Sequence, residues 1–224
     1  MKFPKLHNAE ELSGLVEEIG FLPFFANGIP GFSVEECTPS AYWFKEDVEG
    51  PWEWKGEIAT KKKAAYGKLF RNRAGYVSRK WYPYLANYRR DGYDFDAHYE
   101  DGLSSMKDRQ IMEYLERHGG CLSTELKSQG NYGKGGNKGF DTVVTRLQMQ
   151  TYITVCDFEY RKDSRGQEYG WGIARYTLPE EWLGRHACSS RYGEEPETSF
   201  RRMVSHLEKI LPEAEEEEIV RLLK

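Results

Sequence analysis

The stretch GFDTVVTRLQMQTYITVCDFEY, residues 139–160, decides the fold. Its first half places Phe140, Val143, Val144 and Leu147 at the i, i+3, i+4, i+7 spacing of a helix that turns one face inward. The opposite face is polar: Lys138, Thr142, Thr145, Arg146, Gln148 and Gln150 are residue types that meet phosphates and base edges in a major groove. From Tyr152 to Tyr160 the period changes to two, which predicts a strand. Arg161 to Gly166 reads as a turn and Tyr169 to Tyr176 as the returning partner, so the helix is followed by a hairpin carrying Arg161, Lys162 and Arg165 at its tip.

Upstream, Ile111, Met112 and Leu115 share one face of a helix over residues 107–118, which stops at Gly119 and Gly120. Ser123 reads as the N-cap of a short second helix anchored by Leu126. The Gly-rich stretch 130–139 lacks the Lys-Ser or Lys-Thr pair of a phosphate-binding loop and reads as a plain connection. Helix, turn, helix, loop, helix and hairpin in that order predict a winged-helix module over residues 107–180. Such modules bind double-stranded DNA, and others serve protein contacts; both partners stay open at this level.

Around this module the chain reads as mostly helical, giving an α+β fold class. Asn8 is a candidate N-cap for a helix burying Leu12, Leu15, Val16 and Ile19, with Gly20 at its end. Residues 21–38 are broken by Pro23, Gly28, Pro30 and Gly31 and read as irregular. Residues 1–100 then form an N-terminal helical region rich in aromatic and basic residues, with Ser78 capping a helix from Arg79 to Tyr88. The acidic turn Asp91 to Asp101 misses the oxygen spacing of a calcium loop and reads as a solvated linker. Over residues 181–224, Met203, Val204, Leu207 and Leu211 mark one helix, and Pro212 is expected to open a last one with a solvated run from Glu213 to Glu218.

Net charge is −4, but it is unevenly spread: residues 1–50 carry −6, 51–90 carry +9, 91–150 carry −3 and 151–224 carry −4. The positive field belongs to one segment, where Lys61, Lys62, Lys63, Arg71, Arg73, Arg79 and Lys80 interleave with aromatic residues. That pattern has two readings, an aromatic core with a solvated basic face or a phosphate-tracking surface. No apolar run reaches the ~20 residues of a membrane span, so no membrane partner is expected. Met1 to Ala9 lacks the pattern of a secretory signal and the cysteines at 37, 121, 156 and 188 form no CxxC pair, which reads as a cytoplasmic protein with free thiols. No metal or cofactor motif is present, and none is expected.

The stretch LFRNRAGYVSRKWYPYL, residues 69–85, followed by Lys107 to Pro179, resembles the central and C-terminal winged-helix portions of the AlkZ/YcaQ-type DNA glycosylases. The resemblance implies a tandem winged-helix fold and removal of alkylated or crosslinked bases through a Gln-x-Gln or Gln-x-Asp motif near the N-terminus. Here the sequence departs: its first fifty residues contain no Gln. Gln148-Met-Gln150 lies at the end of the third predicted helix, outside the place where that motif belongs. The expectation is therefore a DNA-binding protein related to these glycosylases and acting in DNA repair, with base-excision activity left open and no catalytic residue assigned. A transcriptional regulator using the same module and a protein-interaction module are the alternatives.

Overall fold

The computed structural model describes residues 3–43 and 48–224. The first half of the chain holds α1 (Ala9–Ile19), β1 (Phe21–Pro23), α2 (Val34–Cys37), α3 (Pro51–Thr60), β2 (Ala64–Phe70), β3 (Arg73–Ser78), α4 (Tyr82–Arg90) and α5 (Phe95–Glu100). The second half holds α6 (Met106–His118), β4 (Cys121–Leu122), α7 (Ser123–Gln129), α8 (Phe140–Met149), β5 (Thr154–Lys162) and β6 (Glu168–Thr177). It finishes with α9 (Pro179–Leu183), α10 (Arg185–Cys188), α11 (Pro196–Ile210) and α12 (Glu216–Leu223). The strands make one antiparallel sheet in the order β1-β3-β2-β5-β6-β4, confirming the α+β class with helix predominating.

The helices form where the apolar period demands. Leu12, Leu15, Val16 and Ile19 are buried on α1, whose N-cap Asn8 accepts a bond from the Glu11 amide. Ile111, Met112 and Leu115 are buried on α6, and Phe140, Val143, Val144 and Leu147 on α8. Met203, Val204 and Leu207 do the same on α11.

Five expectations are corrected. Residues 51–90 are not helical throughout: α3 and α4 bracket the β2–β3 hairpin, where Ala64 pairs with Ser78 and Tyr66 with Tyr76. Six of the seven β2 residues are buried, because the strand is covered on both faces, and a strand covered on both faces shows no polar alternation to read. Ser78 ends β3 instead of capping a helix, and α4 starts at Tyr82 with Pro83 in its first turn. Phe21 to Pro23 is an edge strand, the position where a strand proline loses no ladder bond. At the C-terminus the last helix opens at Glu216 instead of Pro212, with three glutamates in its positive first turn. The acidic linker also contains a helix, α5, capped by Asp94.

The buried side chains sort into two clusters, one that joins both ends of the chain and one that is local in sequence. One combines Leu12, Val16, Tyr76, Tyr82 and Leu85 with Met203, Leu207, Ile219 and Leu223 from the opposite end of the chain. The other is contiguous in sequence, from Phe95 through Ile111, Leu126, Val144 and Leu147 to Ile153. Arg89 and Arg90, the last two residues of α4, bind across the seam. Arg89 donates to the carbonyls of Leu69 (2.6 Å), Met149 (3.0 Å) and Leu223 (3.0 Å). Arg90 donates to Glu180 (2.6 Å), to the Thr151 carbonyl (2.6 Å) and to the Tyr192 hydroxyl.

Two stability outcomes follow. Replacing Arg89 by Met strands three carbonyls at roughly 1–3 kcal/mol each, so Arg89→Met is expected to cost about 4 kcal/mol in urea denaturation, with Arg89→Lys recovering only a minor part. The second concerns Lys55, which is buried with its ammonium over the rings of Trp52 (4.9 Å) and Phe158 (4.5 Å). Burial holds its amine down at about 8 against an ordinary 10.5. Below pH 8 both folded and unfolded forms are charged and the full penalty applies, about 3 kcal/mol before the rings offset part of it. Between those two pKa values the unfolded chain binds more protons, so wild-type stability relative to Lys55→Met should rise with pH across that window and stay flat below it. Melts of both proteins from pH 6 to 10.5 check the sign.

Candidate nucleic-acid interface

The α8 helix turns Phe140, Val143, Val144, Leu147 and Gln148 inward. Its outer residues Asp141, Thr142, Thr145, Arg146 and Met149, with Gln150 just after it, border a concavity of about 520 Å³ whose opposite wall is Lys68 of β2 and Asn72. A second concavity of about 590 Å³ shares Asn72 and Met149 and continues to Arg71 and to Glu217, Arg221 and Lys224 around α12. Together they make a groove bordered by five cations, Lys68, Arg71, Arg146, Arg221 and Lys224, against two carboxylates, Asp141 and Glu217.

The groove is built by a two-residue hairpin. Arg71 (φ 49°) and Asn72 (φ 64°) both take the left-handed conformation that a tight hairpin of this hand requires, which asparagine tolerates well. The Asn72 amide donates to the Met149 sulfur at 3.3 Å, docking the hairpin tip on the end of α8. Lys68 and Arg71 are exposed and have no ion-pair partner among the described residues.

Two residues expected on the polar face serve packing instead. Gln148 is 2% exposed: its Oε1 accepts from the Lys68 amide (3.0 Å) and its Nε2 donates to the Val144 carbonyl (3.1 Å). A Cβ on Gly67 would lie 2.9 Å from that Oε1, so the glycine permits the close approach of strand and amide. Gln148 therefore does not reach a ligand; it fastens α8 to β2. Arg146 is half-committed: it grips the buried Asp108 carboxylate at 2.6 and 2.8 Å, while its side chain remains 40% exposed toward the groove. Asp108 in turn accepts from the Ser105 amide and hydroxyl in the first turn of α6.

The remaining expected residues fall into separate patches. Lys61, Lys62 and Lys63 are exposed at the opposite end of the β2–β3 hairpin from Arg71, roughly 20 Å away along the strand. Lys61 pairs with Glu57, and Arg79 donates to the Lys62 carbonyl, so Arg79 and Lys80 belong to that end. Arg73 lies at the tip end, bound to the Ala26 carbonyl. Lys138 is exposed just before α8, its carbonyl accepting from Lys107. Arg161, Lys162 and Arg165 stand at the exposed end of the β5–β6 hairpin, the base of which leans on α3 through Asp157 with Thr60 and through Tyr160 with the Trp52 carbonyl.

A third concavity, about 670 Å³, lies at the seam between the clusters. Its charged lining is Asp94, Asp96, Glu116, Glu180 and Glu181 against Arg90 and Arg185, a balance that repels phosphate. Beside Arg90, burial pushes the Cys188 thiol up to about 12, which leaves no thiolate nucleophile near neutral pH. Lys68, Asn72, Arg221 and Lys224 went unmarked in the sequence; the Arg71-Asn72 turn pair is the signal that points to the first two.

The sequence model of AlkZ-related proteins matches residues 6–224, nearly the whole chain. The chain belongs to the AlkZ-related family. Comparison with curated proteins and with solved structures gives no match. Membership extends the kinship seen at residues 69–85 and 107–179 to both ends of this AlkZ-related chain, including α11 and α12, which complete the first cluster and one wall of the groove.

The Asp108–Arg146 bond that sets α8 against α6 makes a direct test. Asp108→Ala leaves Arg146 without its partner and the Ser105 amide unpaired, and we expect a loss of about 3 kcal/mol by chemical denaturation, several times the loss from Glu113→Ala at the exposed Arg109 pair.

Proposed function

We propose that this AlkZ-related protein is a winged-helix DNA-binding protein that engages double-stranded DNA through α8 and the basic groove beside it, in a repair role. The observation that carries the reading is topological. Between α6 and α7 lies the two-residue strand β4, which pairs with β6, and β6 pairs with β5 directly after α8. Helix, strand, helix, helix and a two-stranded hairpin, closed by the first short strand, is the arrangement of a winged helix, with α8 in the recognition position and Arg161, Lys162 and Arg165 on the wing.

Electrostatics supports the same surface. The groove gathers a positive excess on a chain of negative total charge, and Lys68 and Arg71 are available to phosphates. Thr142, Thr145 and Gln150 are the α8 side chains left for base edges once Gln148 is spent on packing. Family membership supports damaged DNA as the substrate class. Catalysis by base excision is the part of the reading for which no residue is assigned.

Fluorescence anisotropy with intact duplexes and duplexes carrying an alkylated base, over a salt series, tests the proposal. Phosphate contacts from Lys68, Arg71 and Lys224, the groove cations outside the Arg146–Asp108 and Arg221–Glu218 pairs, give a slope of log K against log salt of about −3. Charge reversal at Lys68 and Arg71 should make that slope shallower by about 2, whereas reversal at Lys61, Lys62 and Lys63 should change it little. Preference for the alkylated duplex, or free base released from it, favours the repair role. A preference for one undamaged sequence favours a regulator, and absence of binding at low salt turns the module toward a protein partner.

A further inference from the structure

Among the described residues the two most exposed large apolar side chains, Leu103 (54%) and Met106 (56%), stand three positions apart in the short connection between α5 and α6. Scattered surface leucines are ordinary, but these two are mounted together on a rigid knuckle. Gly102, at φ 74°, turns the chain, and the Leu103 amide donates back to the His98 carbonyl at 3.0 Å. The Ser104 hydroxyl lies 2.6 Å from His98 Nδ1. Ser105 caps α6, its amide and hydroxyl both donating to Asp108, and the Tyr99 hydroxyl donates to the Met106 sulfur at 3.9 Å.

The knuckle is fastened to the edge of the groove. Arg146, which borders the groove on α8, grips Asp108 at 2.6 and 2.8 Å and also donates to the Ser105 hydroxyl at 3.4 Å. Leu103 and Met106 thus flank a residue that touches the groove lining. Around them Lys107 and Lys138 balance Glu100 and Asp101, so the knuckle draws no phosphate by itself. What it adds to the DNA-facing surface is apolar, and it is held stiff.

We propose that Leu103 and Met106 are a wedge that enters the base stack of a duplex held in the groove, and that it selects DNA whose stacking is already weakened by a mismatch or a damaged base; this rests on the DNA-binding reading above. Apolar side chains gain by leaving water for the faces of bases, and leucine and methionine are residue types that part a base step in this way. Two side chains fit that role better than a protein contact, which buries about 1,200 Å² or more. Unstacking an intact step opposes insertion, and the opposition is least where pairing is already lost. A wedge therefore turns general phosphate binding by Lys68, Arg71 and Lys224 into a preference for the damaged site, without reading any one base.

The test places 2-aminopurine, which brightens when it unstacks, beside a single mismatch and follows both its fluorescence and the anisotropy of the duplex with the full chain. Wild type is expected to bind the mismatched duplex roughly tenfold tighter than the matched one and to raise the 2-aminopurine signal severalfold. Leu103→Gln combined with Met106→Gln should lose the preference and the rise, whereas the apolar exchange Leu103→Met with Met106→Leu should keep both. The salt slope should be the same in all three proteins, because apolar contact releases no counterions. Equal affinity of wild type for matched and mismatched duplexes, a preference with no rise in fluorescence, or a glutamine variant that keeps the preference each overturns the wedge while leaving the DNA-binding reading standing. No duplex bound at low salt overturns both.

Discussion

Arg89 faces three backbone carbonyls and, among the described residues, no carboxylate, and much of the molecule is arranged to make that tolerable. Burial pulls its guanidinium down to about 10, still charged at neutral pH. Two of the three carbonyls, Met149 and Leu223, end α8 and α12, where unsatisfied C=O groups gather a partial negative charge. The cation is thus neutralised by two helix ends in place of a counter-ion, and each helix end gains the donor it lacks. Because the third carbonyl belongs to β2, one side chain fixes the mutual position of the sheet, α8 and the last helix. These three elements are the walls of the basic groove.

That arrangement changes what the charge pattern means. Segment 51–90 holds the positive excess of the sequence, yet Lys55 and Arg90 within it are buried and Arg89 is partly buried, and all three spend their charge inside the protein. The exposed remainder divides between the two ends of one hairpin. A groove with a cationic lining arises because the tip of that hairpin meets residues from α8 and α12, distant in sequence, and not because the segment is basic as a whole.

Helices whose apolar residues recur every three or four positions were legible in the sequence: α1, α6, α8 and α11 all bury the residues the periodicity singles out. The β2–β3 hairpin was not. Its central strand is covered on both faces, and its turn is Arg71-Asn72 in place of the usual glycine-bearing pair. On α8 the helical wheel separates Thr142 from Val143 but misassigns Gln148, because a polar residue packed against a strand amide is indistinguishable in sequence from one facing solvent. Thr142, Thr145, Arg146 and Gln150 were legible as one face; the opposing wall depends on tertiary contacts that no local pattern encodes.

The two hydrophobic clusters also differ in when they can form. The one from Phe95 to Ile153 draws on less than sixty consecutive residues, so its contacts close short loops and a growing chain can assemble it early. The other joins Leu12 to Leu223 and waits for nearly the full length before its loop can close. During synthesis, then, the helix that faces the groove is in place while the N-terminal aromatic residues are still uncovered. Apolar surface left uncovered in such an interval is the kind that promotes aggregation in larger chains.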